Sequence, residues 1–190
     1  NNIPFLSFAQ ALGKYFIKKN SIVVTGTWGK TTISSILSYI LLKAEMNPSY
    51  FTGGVSLSHE PGALSDSDWS VVEGDEYQAA IWDRKAKFFY YKPTHLLLTS
   101  VSWDHADLYP TEEEYFDVFR KIISEIPHNG MIVACADDEG VKKVLGDKKA
   151  VTYGKNSGAD YVYSEVQHTK NGLVFKINDY TLTSPMLGRF

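Results

Sequence analysis

The run "VVTGTWGKTT" at positions 23–32 holds the first residues able to do chemistry. Two glycines, a lysine and two threonines stand between a β-branched apolar run and a segment with helical spacing. A glycine-containing turn from a buried strand into a helix aims backbone N–H groups at one point. The helix N-terminus adds roughly half a positive charge there. Gly26 and Gly29 permit the tight turn and the close approach of phosphate oxygens. Lys30 has the reach for β- and γ-phosphates, and the hydroxyl of Thr31 or Thr32 suits a Mg2+ ion. The loop is short: Val24 takes the place of the first glycine of the usual pattern, and the bulky Trp28 sits mid-loop. Gly-Lys-Thr alone is a weak signal. With a strand before it, an amphipathic helix after it and a second glycine, it predicts a nucleoside triphosphate site.

Phosphoryl transfer also needs an acid to hold the divalent ion. "SVVEGDE" offers Glu73 directly after an apolar run, followed by Asp75 and Glu76. Glu73 is the stronger choice, because the end of a central parallel strand faces the ligand crevice. A solvated acidic turn is an equally good reading of Asp75. A further strand, "THLLLTS", leads into "VSWDHADLYP" and delivers Asp104 and His105. His105 stands beside an acid just past a buried strand, a setting that suits a second metal, although Mg2+ prefers oxygen. The histidines at 59, 95, 128 and 168 have no comparable setting.

These groups need a scaffold, and the pattern around them supplies one. Phe5, Phe8, Ala9, Leu12 and Phe16 recur at helical spacing, so a first helix is predicted to end near "KKN". "SIVVT" is a buried strand. Ile33, Ile36, Leu37, Ile40, Leu41 and Ala44 predict one apolar face on the next helix, which Pro48 stops. "DWSVVEG", "THLLLTS", "GMIVACA" and "AVTYG" read as further strands. "EEEYFDVFRKIISEI" is a helix with Tyr115, Phe116, Phe119, Ile122, Ile123 and Ile126 on one stripe, and "DEGVKKVLG" is a short one. The alternation predicts an α/β fold of P-loop type: a mostly parallel sheet covered by helices on both faces. After Gly154, "YVYSEVQ", "LVFKIN" and "YTLTS" are short strands split by the turn sequences "TKNG" and "ND". Residues 1–155 thus read as the nucleotide-binding core, and 156–190 as a small antiparallel β subdomain.

Bulk properties agree with this reading. The chain has 190 residues, 44% of them hydrophobic, and a net charge of -3, which does not suggest nucleic acid or an acidic membrane surface as a partner. No apolar run reaches the ~20 residues of a membrane span. The single cysteine, Cys135, reads as a buried strand thiol, and one cysteine fits a reducing cytoplasm. It does not suggest a covalent intermediate.

Taken in order, "GTWGKTT", "EGDEY" and "SVSWDHADLYP" resemble the central ATPase domain of the Mur ligases, in which the same loop is short. The resemblance covers nearly the whole chain, "PMLGRF" included. It implies ATP and Mg2+ as cofactors, a cytoplasmic location, and a UDP-binding N-terminal domain and a C-terminal domain outside this chain. It also implies that the 190-residue piece alone ligates nothing. Carried over, Lys30 contacts the terminal phosphates. Thr31 and Glu73 hold the ion bridging the β- and γ-phosphates. His105 helps hold a second metal. Gly26, Thr27, Trp28, Gly29 and Thr32 line the loop. "DEYQAAIWDRKAKFFYYKP", "DHADLY" and "TGGV" are most similar to the subgroup that attaches L-Ala-γ-D-Glu-meso-diaminopimelate to UDP-N-acetylmuramate in peptidoglycan recycling. The alternatives are the subgroup that adds L-alanine to the same acceptor, and a nucleotide-binding module without catalysis. The sequence departs from those subgroups at Trp28, where histidine is usual, and at Ser100, where asparagine is usual. Arg120 or Lys121 stands about where several members carry a carbamylated lysine. Trp28 is expected to pack over the loop or face substrate rather than take part in chemistry.

Overall fold

The structure is a computed structural model that describes residues 3, 5–56, 58–155 and 158–186. In chain order it contains α1 (Phe8–Tyr15), β1 (Asn20–Thr25), α2 (Lys30–Lys43), β2 (Ser49–Phe51), β3 (Gly62–Ala63) and β4 (Trp69–Gly74). A hairpin of β5 (Gln78–Ala80) and β6 (Asp83–Ala86) follows, then a 3-10 turn at Lys87–Tyr91, β7 (His95–Leu98) and α3 (Glu112–Glu125). The chain continues through β8 (Met131–Cys135), α4 (Glu139–Leu145), β9 (Val151–Gly154), β10 (Tyr161–Thr169), β11 (Gly172–Ile177) and β12 (Tyr180–Ser184).

The described strands other than the hairpin join in one sheet, ordered β12-β11-β10-β9-β8-β7-β1-β4-β2-β3. Its middle is parallel, from β2 through β4, β1, β7, β8 and β9 to β10. The last three strands are antiparallel and close through the turns read from "TKNG" and "ND", where Gly172 and Asn178 take positive φ. They continue the main sheet through the parallel β9–β10 pairing.

Pleating divides the core. Val23, Val72, Leu96, Leu98, Ile132 and Ala134 face one side and form a single cluster with Ala9 of α1, Phe88 of the 3-10 turn, α3 and α4. The α3 stripe is buried as its spacing predicts, with Tyr115, Phe119 and Ile122 fully enclosed and Ile126 packed at the edge. Thr111 caps that helix, its hydroxyl accepting from Glu114 N, and the acids of its first turn match the positive end.

The opposite face, carrying Val24 and Val71, is covered differently from the expectation. α2 packs on β1 and β4 there, and the residues it buries are Ser34 and Ser38. Ile36 and Ile40 of the predicted apolar face are exposed, while Ile33, Leu37 and Leu41 are half-buried. Small side chains let the helix approach the sheet closely. Their hydroxyls bond within the helix, Ser38 to Ser34 O and Ser34 to Thr31 O, so burying them leaves nothing unpaired. Beyond α2 the same face is open, a groove of about 470 Å³ lined by Val133, Tyr153, Tyr161, Tyr163 and Ile177. Helix cover on both faces is therefore complete only around the central strands.

Other boundaries shift for local reasons. α1 ends at Tyr15, before "KKN", and Phe5 and Phe8 of its predicted stripe are exposed. Its start is fixed by a reciprocal cap between Ser7 and Gln10. α2 ends at Lys43, ahead of Pro48, where Glu45 and Asn47 turn the chain with positive φ. Strands β2 and β3, the β5–β6 hairpin and the 3-10 turn have no counterpart in the sequence reading. Of "PMLGRF", residues 187–190 lie outside the described residues.

Candidate functional site

Parallel register brings three strand ends to one edge. Val24 lies opposite Glu73, and Thr25 opposite both Gly74 and Leu98. The loop after β1, the acidic turn after β4 and the segment after β7 therefore emerge side by side. The loop is braced by the third of these. Thr27 N donates to Ser100 O at 2.8 Å and Trp28 N to Ser100 Oγ at 3.1 Å, while Thr99 Oγ1 donates to Trp28 O at 2.6 Å. Gly26 has φ +131°, and a Cβ there would collide with Thr99 Oγ1. Gly29 begins α2 with no side-chain cap, so the first-turn amides of the helix, Thr31 and Thr32 among them, point into the crevice mouth. Trp28 is 65% exposed.

Thr31 and Glu73, read as partners from sequence, meet directly: Thr31 Oγ1 donates to Glu73 Oε1 at 2.9 Å. The other carboxylate oxygen accepts from Gly53 N at 2.7 Å. The "TGGV" segment is thus part of the site. A Cβ on Gly53 would occupy the position of the Glu73 carboxylate, and one on Gly54 would press on Thr31 Cγ2. A hydroxyl and a carboxylate oxygen, held rigidly at a helix N-terminus, are the hard donors Mg2+ takes, with phosphate and water oxygens completing its shell. The donor set fits that ion.

Lys30 and His105 are drawn to a residue given no role from sequence. Glu76 is wholly buried. Its Oε2 accepts from Lys30 Nζ at 3.2 Å, and its Oε1 accepts from Tyr115 OH at 3.3 Å and lies 3.5 Å from His105 Nε2. Tyr109 OH donates to the Glu76 carbonyl. Lys30 Nζ also donates to Gly26 O at 2.8 Å and to Thr27 O at 3.4 Å. Tyr115 OH shares a 3.1 Å hydrogen bond with Thr27 Oγ1, so the network reaches back into the loop. Burial, with the Glu76 charge beside them, pushes the Tyr115 hydroxyl well above its ordinary range and Tyr109 up to about 12. Both keep their protons to donate. His105 holds φ +53°, an uncommon backbone for a non-glycine residue, stabilised by Leu108 N and Tyr109 N donating to its carbonyl. The structure groups His105 with Glu76 and Asp104 rather than with Glu73. Among the described residues no cluster of three or more His, Cys, Asp or Glu is arranged as a complete metal site.

Arg120 and Lys121 lie away from these groups. Arg120 bonds Glu113 and Asp117 along the outside of α3, at 2.5 and 2.6 Å, and the Lys121 ammonium lies over the Phe89 ring. The subgroup stretch forms a brace. Lys87 Nζ donates to Asp75 Oδ2 at 3.0 Å and sits over the Tyr77 ring, while Asp83 Oδ2 accepts from Tyr90 OH and Gln10 Nε2. These bonds tie the β5–β6 hairpin to α1 and to the 3-10 turn, and the 3-10 turn to the acidic turn. Among the described residues no helix is long and apolar enough to cross a membrane.

Known proteins resemble this chain in sequence and in fold. The family description "Mur ligase middle domain" matches residues 24–190. The UDP-N-acetylmuramate–L-alanine ligase of Ruthia magnifica subsp. Calyptogena magnifica is 32% identical over 97% of this chain and 39% of that protein. The UDP-N-acetylmuramate–L-alanyl-γ-D-glutamyl-meso-2,6-diaminoheptandioate ligase of Escherichia coli (strain K12) is 32% identical over 76% of this chain and 32% of that protein. The chain thus spans less than half the length of these curated relatives. A crystal structure of the corresponding ligase from Neisseria meningitides superposes with a TM-score of 0.79 at 24% identity, covering 98% of this chain and 62% of that one.

Proposed function

This chain belongs to the Mur ligase family as a middle domain, and from that premise we propose that it binds ATP for an ATP-dependent carboxylate–amine ligase. The observation that carries the reading is the Thr31–Glu73 contact beside the uncapped N-terminus of α2, with Lys30 in the same turn. The loop amides and the helix end bind the phosphates, and Lys30 supplies a positive charge to the β- and γ-oxygens. Mg2+, held by Thr31 Oγ1 and Glu73, would neutralise phosphate charge that otherwise repels an incoming carboxylate. A substrate carboxylate oxygen then attacks the γ-phosphorus in line, ADP leaves, and an acyl phosphate results. The amine attacks that carbonyl, and phosphate departs as the C–N bond forms. His105, beside Glu76 and Asp104, would be the residue to hold a second metal.

The proposed acceptor is UDP-N-acetylmuramate and the proposed amine substrate is the tripeptide L-Ala-γ-D-Glu-meso-diaminopimelate. The brace built from "DEYQAAIWDRKAKF" supports that subgroup through its similarity in sequence. L-alanine is the second reading, favoured by the relative that aligns over 97% of this chain and carries that activity in its name. Flanking domains of the full-length enzyme would carry the UDP group and the amine. The test is phosphate release by the full-length enzyme with ATP, Mg2+ and UDP-N-acetylmuramate, comparing tripeptide with L-alanine. Release with tripeptide alone supports the first reading, and release with L-alanine alone supports the second. Release indifferent to any muramyl acceptor would overturn the ligase reading, and nucleotide binding with no release at all would leave a nucleotide-binding module.

A further inference from the structure

We infer that Glu76 is the resting partner of Lys30, positioning the lysine until a triphosphate displaces the carboxylate. The inference rests on the loop being a triphosphate site. A lysine ammonium has three N–H donors. Gly26 O, Thr27 O and Glu76 Oε2 take all three. A phosphate oxygen can gain a bond from Nζ only if one of these acceptors gives way.

The two carbonyls belong to a loop pinned by Thr27 N on Ser100 O and by Thr99 Oγ1 on Trp28 O. The carboxylate is the replaceable member. It has other donors to fall back on, with Tyr115 OH already bonded to Oε1 and His105 Nε2 close by. A buried carboxylate left with no partner would be strongly destabilising. These donors let Glu76 release Lys30 without being stranded. Glu76 also carries negative charge within reach of the phosphate site, so it competes with the nucleotide for the lysine and repels it directly.

The competition fixes the sign of the effect. In the full-length enzyme, Glu76→Gln should tighten binding of a non-hydrolysable ATP analogue with Mg2+ by roughly tenfold, the size of a typical coupling between contacting residues. KM for ATP should fall without a rise in kcat. Tyr115→Phe removes a fallback donor of Glu76 and should weaken the same binding. A thermal cycle is independent of nucleotide. Lys30→Met should lower the unfolding midpoint modestly, because Tyr115 OH and His105 stay beside the buried Glu76 carboxylate but the ammonium charge is gone, and adding Glu76→Gln should recover much of the loss. A purely structural Glu76 would give unchanged or weaker binding in Glu76→Gln, and that result overturns the inference. Unchanged binding in Tyr115→Phe, or no recovery in the double variant, does so as well. If the wild-type enzyme binds no nucleotide while the thermal coupling is present, the reading of the loop fails instead.

Discussion

Glu73 and Glu76 stand three residues apart, the first at the end of β4 and the second in the turn after it, yet only the first was legible. Glu73 ends an apolar run, and the end of a central parallel strand points to the crevice. Glu76 differs from a solvated turn residue only because Tyr115, Tyr109 and His105 close over it, and these arrive from segments remote in sequence. No local pattern announces that enclosure. The glycines of "TGGV" were noticed as a resemblance, and their physical task is to let the chain pass against the Glu73 carboxylate. Gly53→Ala should therefore push that flexible side chain away from Thr31 while leaving the backbone in place. The expected outcome is a loss of at least about tenfold in Mg2+-dependent turnover with little change in the unfolding midpoint, read by phosphate release and calorimetry. Glu73→Gln should cut turnover further, since it removes the charge itself. Trp28, largely exposed, should tolerate Trp28→His with a stability change within about 0.5 kcal/mol in a denaturant titration.

At the scale of elements, α2 shows where periodicity misleads. Its isoleucines mark an apolar stripe, but the sheet receives Ser34 and Ser38. Closeness of approach decided the facing, because a helix entering directly from the phosphate loop has little room to stand off from β1 and β4. Ser38→Leu should therefore cost about 1–3 kcal/mol by overpacking, whereas Ile40→Lys should change stability by no more than about 0.5 kcal/mol; paired urea titrations check both. The parallel strands and α3 were readable because each buries a face with its own period. The β5–β6 hairpin and the 3-10 turn were not. Their residues carry no repeating pattern, and they are held by tertiary bonds from Asp83 to Tyr90 and Gln10 and from Lys87 to Asp75.

The whole molecule responds to alkali through buried and half-buried phenols. Burial raises Tyr109 to about 12 and pushes Tyr77, Tyr91, Tyr115 and Tyr153 higher still. An unfolded tyrosine titrates near 10. Above that pH the unfolded chain releases protons that the folded chain keeps, so the contribution of these groups to stability is complete below about pH 10 and is lost as pH rises toward 12 and beyond. Urea midpoints measured between about pH 8 and 11.5 should be flat at first and then fall. The phenolate absorbance of the native protein should rise later than that of the unfolded chain. Tyr115 ties this interior to the crevice. Its ring is sealed in the cluster beneath the sheet, and its hydroxyl ends in the loop at Thr27. Among descendants of this gene, drift in the apolar face of α3 would then have a route to the loop, through Phe119 on the Tyr115 ring and Tyr115 OH on Thr27. A change in packing around Phe119 would be inherited as a change in nucleotide handling by a protein that still folds.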